Sequence, residues 1–237
     1  MVARLSKPVL SVIVPTLNEG DRIASFVMAL QSLRSAGNEI IIVDGGSTDD
    51  SIQTLVSLCD AGNMTRLIHC AKGRARQMNE GARFATGQVL LFLHADTRLP
   101  DSALAELTDF CNRSANWGRF NVRLDNSGWP YKMIAWFINH RSRITGIATG
   151  DQAIFVKRDV FKHLGGYTDQ PLMEDIDLSV RLKKTSSPMC LSSKVVSSAR
   201  KWQQHGIAQT IWLMWRLRAL YALGVSPEVL VKQYYRS

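Results

Sequence analysis

The residues with the most chemistry to offer sit at the ends of apolar runs. LLFLHADT, residues 90–97, has the pattern of a buried strand that ends in two polar side chains, His94 and Asp96. Two apart on a strand, they would face the same way. A carboxylate there suits a metal or catalytic role. A hard divalent cation prefers oxygen donors, however, and the first of the two positions holds an imidazole. TLNEGD follows another apolar run and supplies Thr16, Asn18 and Glu19, with Pro15 just before them. VDGGSTDDS supplies Asp44, and GRARQMNEG supplies Arg74, Arg76 and Asn79. PLMED brings Glu174 and Asp175 to the start of a helical pattern. Acids there gain about 0.3–1 kcal/mol from the helix macrodipole, and they also suit a general base. Each cluster alone has a structural account. Asp44 is a turn residue before two glycines, His94 a core histidine, and Arg76 and Asn79 an exposed helix face.

The elements that must position these residues alternate. Val9–Val14, Glu39–Val43, Arg66–Cys70 and Val89–Leu93 read as strands that are mostly continuously apolar rather than alternating. Between them, Asp21–Ser35, Ser51–Cys59 and Ala75–Thr86 have helical spacing, with Asp49 or Asp50 as N-cap of the second and Gly37 and Gly87 as stops. The expected fold class is therefore α/β, a mostly parallel central sheet with helices on both faces. Ligands of such sheets bind beyond the carboxyl ends of the strands, where all four of the first clusters fall. After Pro100 the reading is coarser. It gives helices at Asp101–Asn112, Tyr131–Ile144, Met173–Lys184 and Gly206–Leu223, and strands at Arg119–Leu124 and Gln152–Val156. No linker divides the chain. We expect one domain over residues 1–237, with one half over about residues 8–100 and a second over about 101–237.

Composition bounds the partners. The net charge is +9, and the segment from residue 200 onward carries six basic residues against the single acid Glu228. An anionic partner is implied: a nucleotide, a phospholipid surface or a nucleic acid, the last without any recognition motif to support it. Cys59, Cys70, Cys111 and Cys190 have no metal-ligand spacing and read as free thiols of a reducing compartment. The opening MVARLSKPVLSVIVP lacks a signal-peptide cleavage site, and no uncharged apolar stretch approaches the roughly 20 residues of a membrane span. A cytoplasmic protein is expected.

Taken together, SVIVPTLNE, VDGGSTDDS, GRARQMNEG with ATG, LLFLHADT, GDQAIFVKRDVFKHLGGY and PLMEDIDLSVRL resemble the family 2 glycosyltransferases with their GT-A nucleotide-sugar fold. The likeness covers roughly residues 9–185 and is strongest to a bacterial subgroup with HADT, GGY and PLMED. The first half would then hold the donor, a nucleoside diphosphate-sugar of UDP or GDP type, and the second the acceptor. The resemblance implies that Pro15, Thr16, Glu19, Asp44 and Arg74 border the nucleotide, with Asn79 a further contact. HAD stands at the family's DxD motif, so Asp96 would ligate Mg2+ or Mn2+ while His94 meets ribose or phosphate. Asp175 would be the base of an inverting transfer, assisted by Glu174, and the Gly165–Gly166 turn would let the backbone approach the sugar. Asp151 would contact the donor sugar, and Arg200 and Trp202 in ARKW the diphosphate or acceptor.

Competing readings are a non-catalytic nucleotide-sugar module and a nucleotidyltransferase, whose Gly-rich GxGTR-type loop PTLNEGD does not supply. A haloacid dehalogenase phosphatase is excluded because its nucleophilic first Asp is His94 here. The acceptor stays open. Aromatic and basic residues over 129–143 and 212–218 fit a peripheral face on the inner side of the membrane and a lipid-linked acceptor, or else a packed core helix or homodimer face.

Overall fold

The computed structural model describes residues 8–59 and 65–235. Residues 1–7, part of the stretch read above as no signal peptide, lie outside this range, as does the side chain of Cys59. Cys70, Cys111 and Cys190 are free thiols, as expected.

Four strands open the fold: β1 (Leu10–Thr16), β2 (Glu39–Asp44), β3 (Thr65–His69) and β4 (Val89–Phe92). They lie parallel in the order β3-β2-β1-β4. Every residue of β1, β2 and β4 is buried. The pleat explains why these strands are apolar throughout, since alternate side chains serve opposite cores. Val12, Val14, Ile40 and Ile42 meet Ile23, Phe26, Leu33 and Leu55 from α1 (Gly20–Ala29), α2 (Gln31–Ser35) and α3 (Ser51–Cys59). Ile13, Ile41 and Val43 meet Ala75, Met78 and Ala82 of α4 (Arg74–Phe84) on the other face.

The second half adds β5 (Thr97–Arg98), α5 (Ala103–Cys111), β6 (Trp117–Leu124), α6 (Trp129–Thr145), a 3-10 turn at Gly150–Gln152, β7 (Ile154–Lys157) and α7 (Arg158–His163). It ends with α8 (Glu174–Lys183), β8 (Met189–Ser197), α9 (Arg200–His205), α10 (Ile207–Ala222) and α11 (Pro227–Tyr234). The sheet has eight strands in the order β3-β2-β1-β4-β7-β6-β8-β5. β7 runs antiparallel to β4 and β6, β8 parallel to β6, and β5 antiparallel to β8. The parallel character expected from the sequence holds across β3 to β4 and is mixed beyond.

Several elements differ from the sequence reading. The helix expected over Asp21–Ser35 breaks at Leu30, whose φ of −92° and ψ of 1° form a turn between α1 and α2. Gln152 sits in the 3-10 turn rather than in a strand, where its side chain completes a capping box with Thr149. β8 has no counterpart in the reading, because MCLSSKVVS mixes polar and apolar residues without a clean alternation. The short helices α7, α9 and α11 are also additional. No helix among the described residues is long and apolar enough to cross a membrane.

Candidate active site

The loops after β1 and β2 are laced into one wall. Asn18, in a left-handed conformation at φ 54°, accepts from the Thr48 N–H at 2.9 Å, and its own N–H donates to Ser47 Oγ at 2.9 Å. The Glu19 N–H donates to Ser51 Oγ at 2.9 Å, and the Gly20 N–H to Asp49 at 3.0 Å. Asp49 also accepts from the Ser51 N–H at 3.0 Å, so one carboxylate ties the start of α3 to the start of α1. Thr16 and Pro15 are buried in this wall. Asp44 is fully buried, and its carboxylate accepts from the N–H groups of Gly46 and Ser47 and from the Ser47 hydroxyl. It therefore shapes the turn that ends β2.

Beneath the wall lies Gln77, a residue the sequence reading did not single out. Its amide donates to the carbonyls of Thr16 and Val43, both at 2.8 Å, and satisfies two strand ends at once. Two residues further on, about half a turn around α4, Asn79 does not face the cleft. Its amide donates to the Tyr167 carbonyl and accepts from the Tyr167 N–H, each at 2.8 Å. It docks the Gly165–Gly166 turn onto α4, and a Cβ on Gly166 would lie 2.6 Å from Asn79 Oδ1. The close approach that Gly166 permits is thus to Asn79, while Gly165 has nothing within 4 Å. Arg76 makes a two-toothed ion pair with Asp169 on the exposed face.

HAD forms a turn rather than the end of a strand. β4 stops at Phe92, and the Thr97 N–H donates to the His94 carbonyl at 3.0 Å. Both side chains still reach the same cleft of about 230 Å3. His94 packs on the backbone of Gly150, with Nδ1 3.8 Å from Asp151 Oδ1. Burial, aided by the Arg74 guanidinium, holds its imidazole down at about 4, so at neutral pH it is an uncharged ring. Around Asp96 the carboxylates crowd together. Burial pushes Glu19 and Asp151 up, and the Asp96 charge adds to the rise of both.

α8 brings the second acidic group. Met173 starts it in a left-handed conformation at φ 66°. This places the Asp175 carboxylate against the Gly150 N–H at 2.9 Å and the Ile176 N–H at 2.7 Å. Glu174 is buried 3.7 Å from Arg74, and burial together with Asp175 pushes it up to about 7. Arg74, His94, Asp96, Asp151, Glu174, Asp175 and Trp202 all line the cleft. Arg200 stands just outside, 4.0 Å from Glu19.

Three further contributors were not named in advance: Lys201, Arg218 and Tyr234, from α9, α10 and α11. Lys201 hydrogen-bonds the Tyr234 hydroxyl and is held down at about 8 by burial. The basic residues of ARKW gave a signal, but nothing in the sequence ties Arg218 or Tyr234 to a strand end. The outcome is a cleft lined by carboxylates and cations together. It is suited to an anionic ligand that reacts next to a base.

Residues 11–165 match the family described as glycosyl transferase family 2. The chain belongs to that family. It is a glycosyltransferase of GT-A fold, as the motifs implied. A PGL/p-HBAD biosynthesis glycosyltransferase of Mycobacterium bovis is 27% identical over 185 residues, covering 75% of this chain and 70% of that protein. A poly-beta-1,6-N-acetyl-D-glucosamine synthase of Staphylococcus epidermidis is 22% identical, and the match spans 95% of this glycosyltransferase but 56% of the synthase. Among solved structures, a mannosyltransferase from Pyrobaculum calidifontis in complex with GDP-Man and Mn2+ superposes with a TM-score of 0.68 at 18% identity, covering 97% of this chain and 70% of its own. TarS of S. aureus in complex with UDP superposes with a TM-score of 0.65 at 20% identity, over 80% of this chain and 60% of its own.

Proposed function

We propose that this glycosyltransferase takes a nucleoside diphosphate-sugar, of UDP or GDP type, and transfers the sugar with inversion to an acceptor hydroxyl. One observation carries the reading: Asp96, Asp151 and Asp175 share a cleft with Arg74, Lys201 and Arg218. The nucleotide would lie along the Pro15–Glu19 wall and the Asp44 turn. The cations would hold the diphosphate over the HAD turn, with neutral His94 as a hydrogen-bond partner for ribose or phosphate.

Asp175, oriented by the two backbone N–H groups it accepts from, would take the acceptor proton. The acceptor oxygen forms a bond to C1 of the sugar as the bond from C1 to the phosphate oxygen breaks, and the nucleoside diphosphate leaves with that electron pair. Glu174 would assist by holding Arg74 in place. Asp151, beside His94, would face the sugar.

Among the described residues no group of three or more His, Cys, Asp or Glu is arranged to hold a metal ion by itself. The crowding of Glu19 and Asp151 about Asp96 nevertheless suits a hard cation that takes Asp96 and completes its shell with diphosphate oxygens. Mg2+ or Mn2+ held there would supply charge neutralisation to the leaving diphosphate. Calorimetry with UDP and GDP, with and without Mn2+, tests donor and cation together. Mn2+ is expected to bind weakly alone and much better with nucleotide. Strong Mn2+ binding without nucleotide, lost in His94→Ala, would overturn this arrangement. Asp96→Ala and Asp175→Ala, each folded by circular dichroism, are expected to abolish donor turnover; full activity in both sinks the mechanism.

A further inference from the structure

Large apolar side chains are left in solvent on two neighbouring helices. Trp129, Trp136 and Phe137 on α6, Trp212 and Trp215 on α10 and Leu223 just past its end are each more than half exposed. The two helices meet at the start of α10, where Tyr131, Ile134 and Ile138 of α6 share one apolar cluster with Ile207 and Ile211. Exposed cations are interleaved with the aromatics: Lys132 and Arg143 on α6, and Arg216 on α10, its guanidinium 5.2 Å from the centre of the Trp212 ring. Neither helix contains an aspartate or a glutamate.

We propose that this face docks the enzyme on an anionic lipid bilayer, with the tryptophans at headgroup depth and the basic side chains reaching the lipid phosphates. Charge selects this occupant over a second copy of the chain. A two-fold interface sets a patch against itself, and here that would bring Lys132, Arg143 and Arg216 against like charges with no acid on either helix to pair them. The patch lies beside the active site, since α10 turns Thr210, Met214 and Arg218 into the cleft while Trp212 and Trp215 point away. Docking therefore holds at the lipid surface a helix whose other side lines the cleft. Resting on the transfer reading above, this assigns the acceptor class as a hydroxyl carried on a membrane lipid.

The full chain mixed with phosphatidylcholine–phosphatidylglycerol vesicles, without any donor, separates this inference from the reaction. The chain is expected to co-sediment with these vesicles, to be released by high salt, and to ignore phosphatidylcholine alone. Trp212→Ser with Trp215→Ser should weaken partition by about tenfold or more, whereas Met28→Ser, an exposed apolar site on α1, leaves it unchanged. Should that pair fail to fold, Trp136→Ser with Phe137→Ser gives the same readout from α6. Absence of vesicle binding overturns the proposal. So does a dimer in solution, by light scattering, that the serine variants dissociate. Thermal shifts with UDP or GDP report on the donor reading independently.

Discussion

Gly150 has no room for a side chain. A Cβ there would fall 2.4 Å from Cε1 and 2.5 Å from Nε2 of His94, in the middle of the site. Gly150→Ala is expected to push the imidazole out of the cleft and to cost about 1–3 kcal/mol, the usual range for overpacking. His94→Ala should restore most of that stability, and a double-mutant cycle of thermal melts checks it. Glu174 gives a pH signature. Its carboxyl, pushed up to about 7, favours the folded state below its ordinary value near 4.5, and that contribution is lost as pH rises through about 7. The melting temperature of Glu174→Gln relative to the parent should therefore climb between pH 5 and 8, at about 2–4 °C per kcal/mol for a chain of this length. Lys201 runs the other way. Held down near 8, it is protonated at neutral pH, so nucleotide affinity should fall as pH passes about 8, and Lys201→Met should flatten the profile. Asp151 came only through the family resemblance, whereas Asp96, Glu174 and Asp175 were legible in the sequence because each follows an apolar run or opens a helix. Gln77, Lys201, Arg218 and Tyr234 were not, because their importance comes from what the fold sets beside them.

At the scale of elements, the wall of loops after β1 and β2 and the docking of α4 decide how rigid the donor side is. Asn79→Ala would strip the Tyr167 backbone of both partners, at about 1–3 kcal/mol for each group left unsatisfied. Thermal melts should record that loss while nucleotide affinity falls less than for Arg74→Ala, since Arg74 faces the cleft and Asn79 does not. β3 leaves Arg66 and His69 exposed, whereas β1, β2 and β4 were plain in the sequence, because burial on both faces demands unbroken apolar runs. β8 was not, although it is the longest strand, since its residues face partly buried surroundings on both sides. α11 carried a local signal that went unused, with Ser226 ahead of Pro227 at the first helical position.

Over the whole molecule, the site is divided between distant parts of the chain. His94 and Asp96 come from one half, and Asp151, Glu174, Asp175 and Lys201 from the other. The two-residue strand β5, which directly follows the HAD turn, pairs Thr97 with Ser197 and Arg98 with Val196 at the end of β8. This small ladder sets an order of assembly. The three parallel pairings among β1 to β4 need only residues up to Phe92, so they can form early. The ladder must close a far longer loop before it gains anything, and such pairings form late. On a chain emerging from the ribosome, the Asp96 turn would stand without its anchor until residue 197 had been made. The candidate site is thus completed only after the first four strands can already have paired.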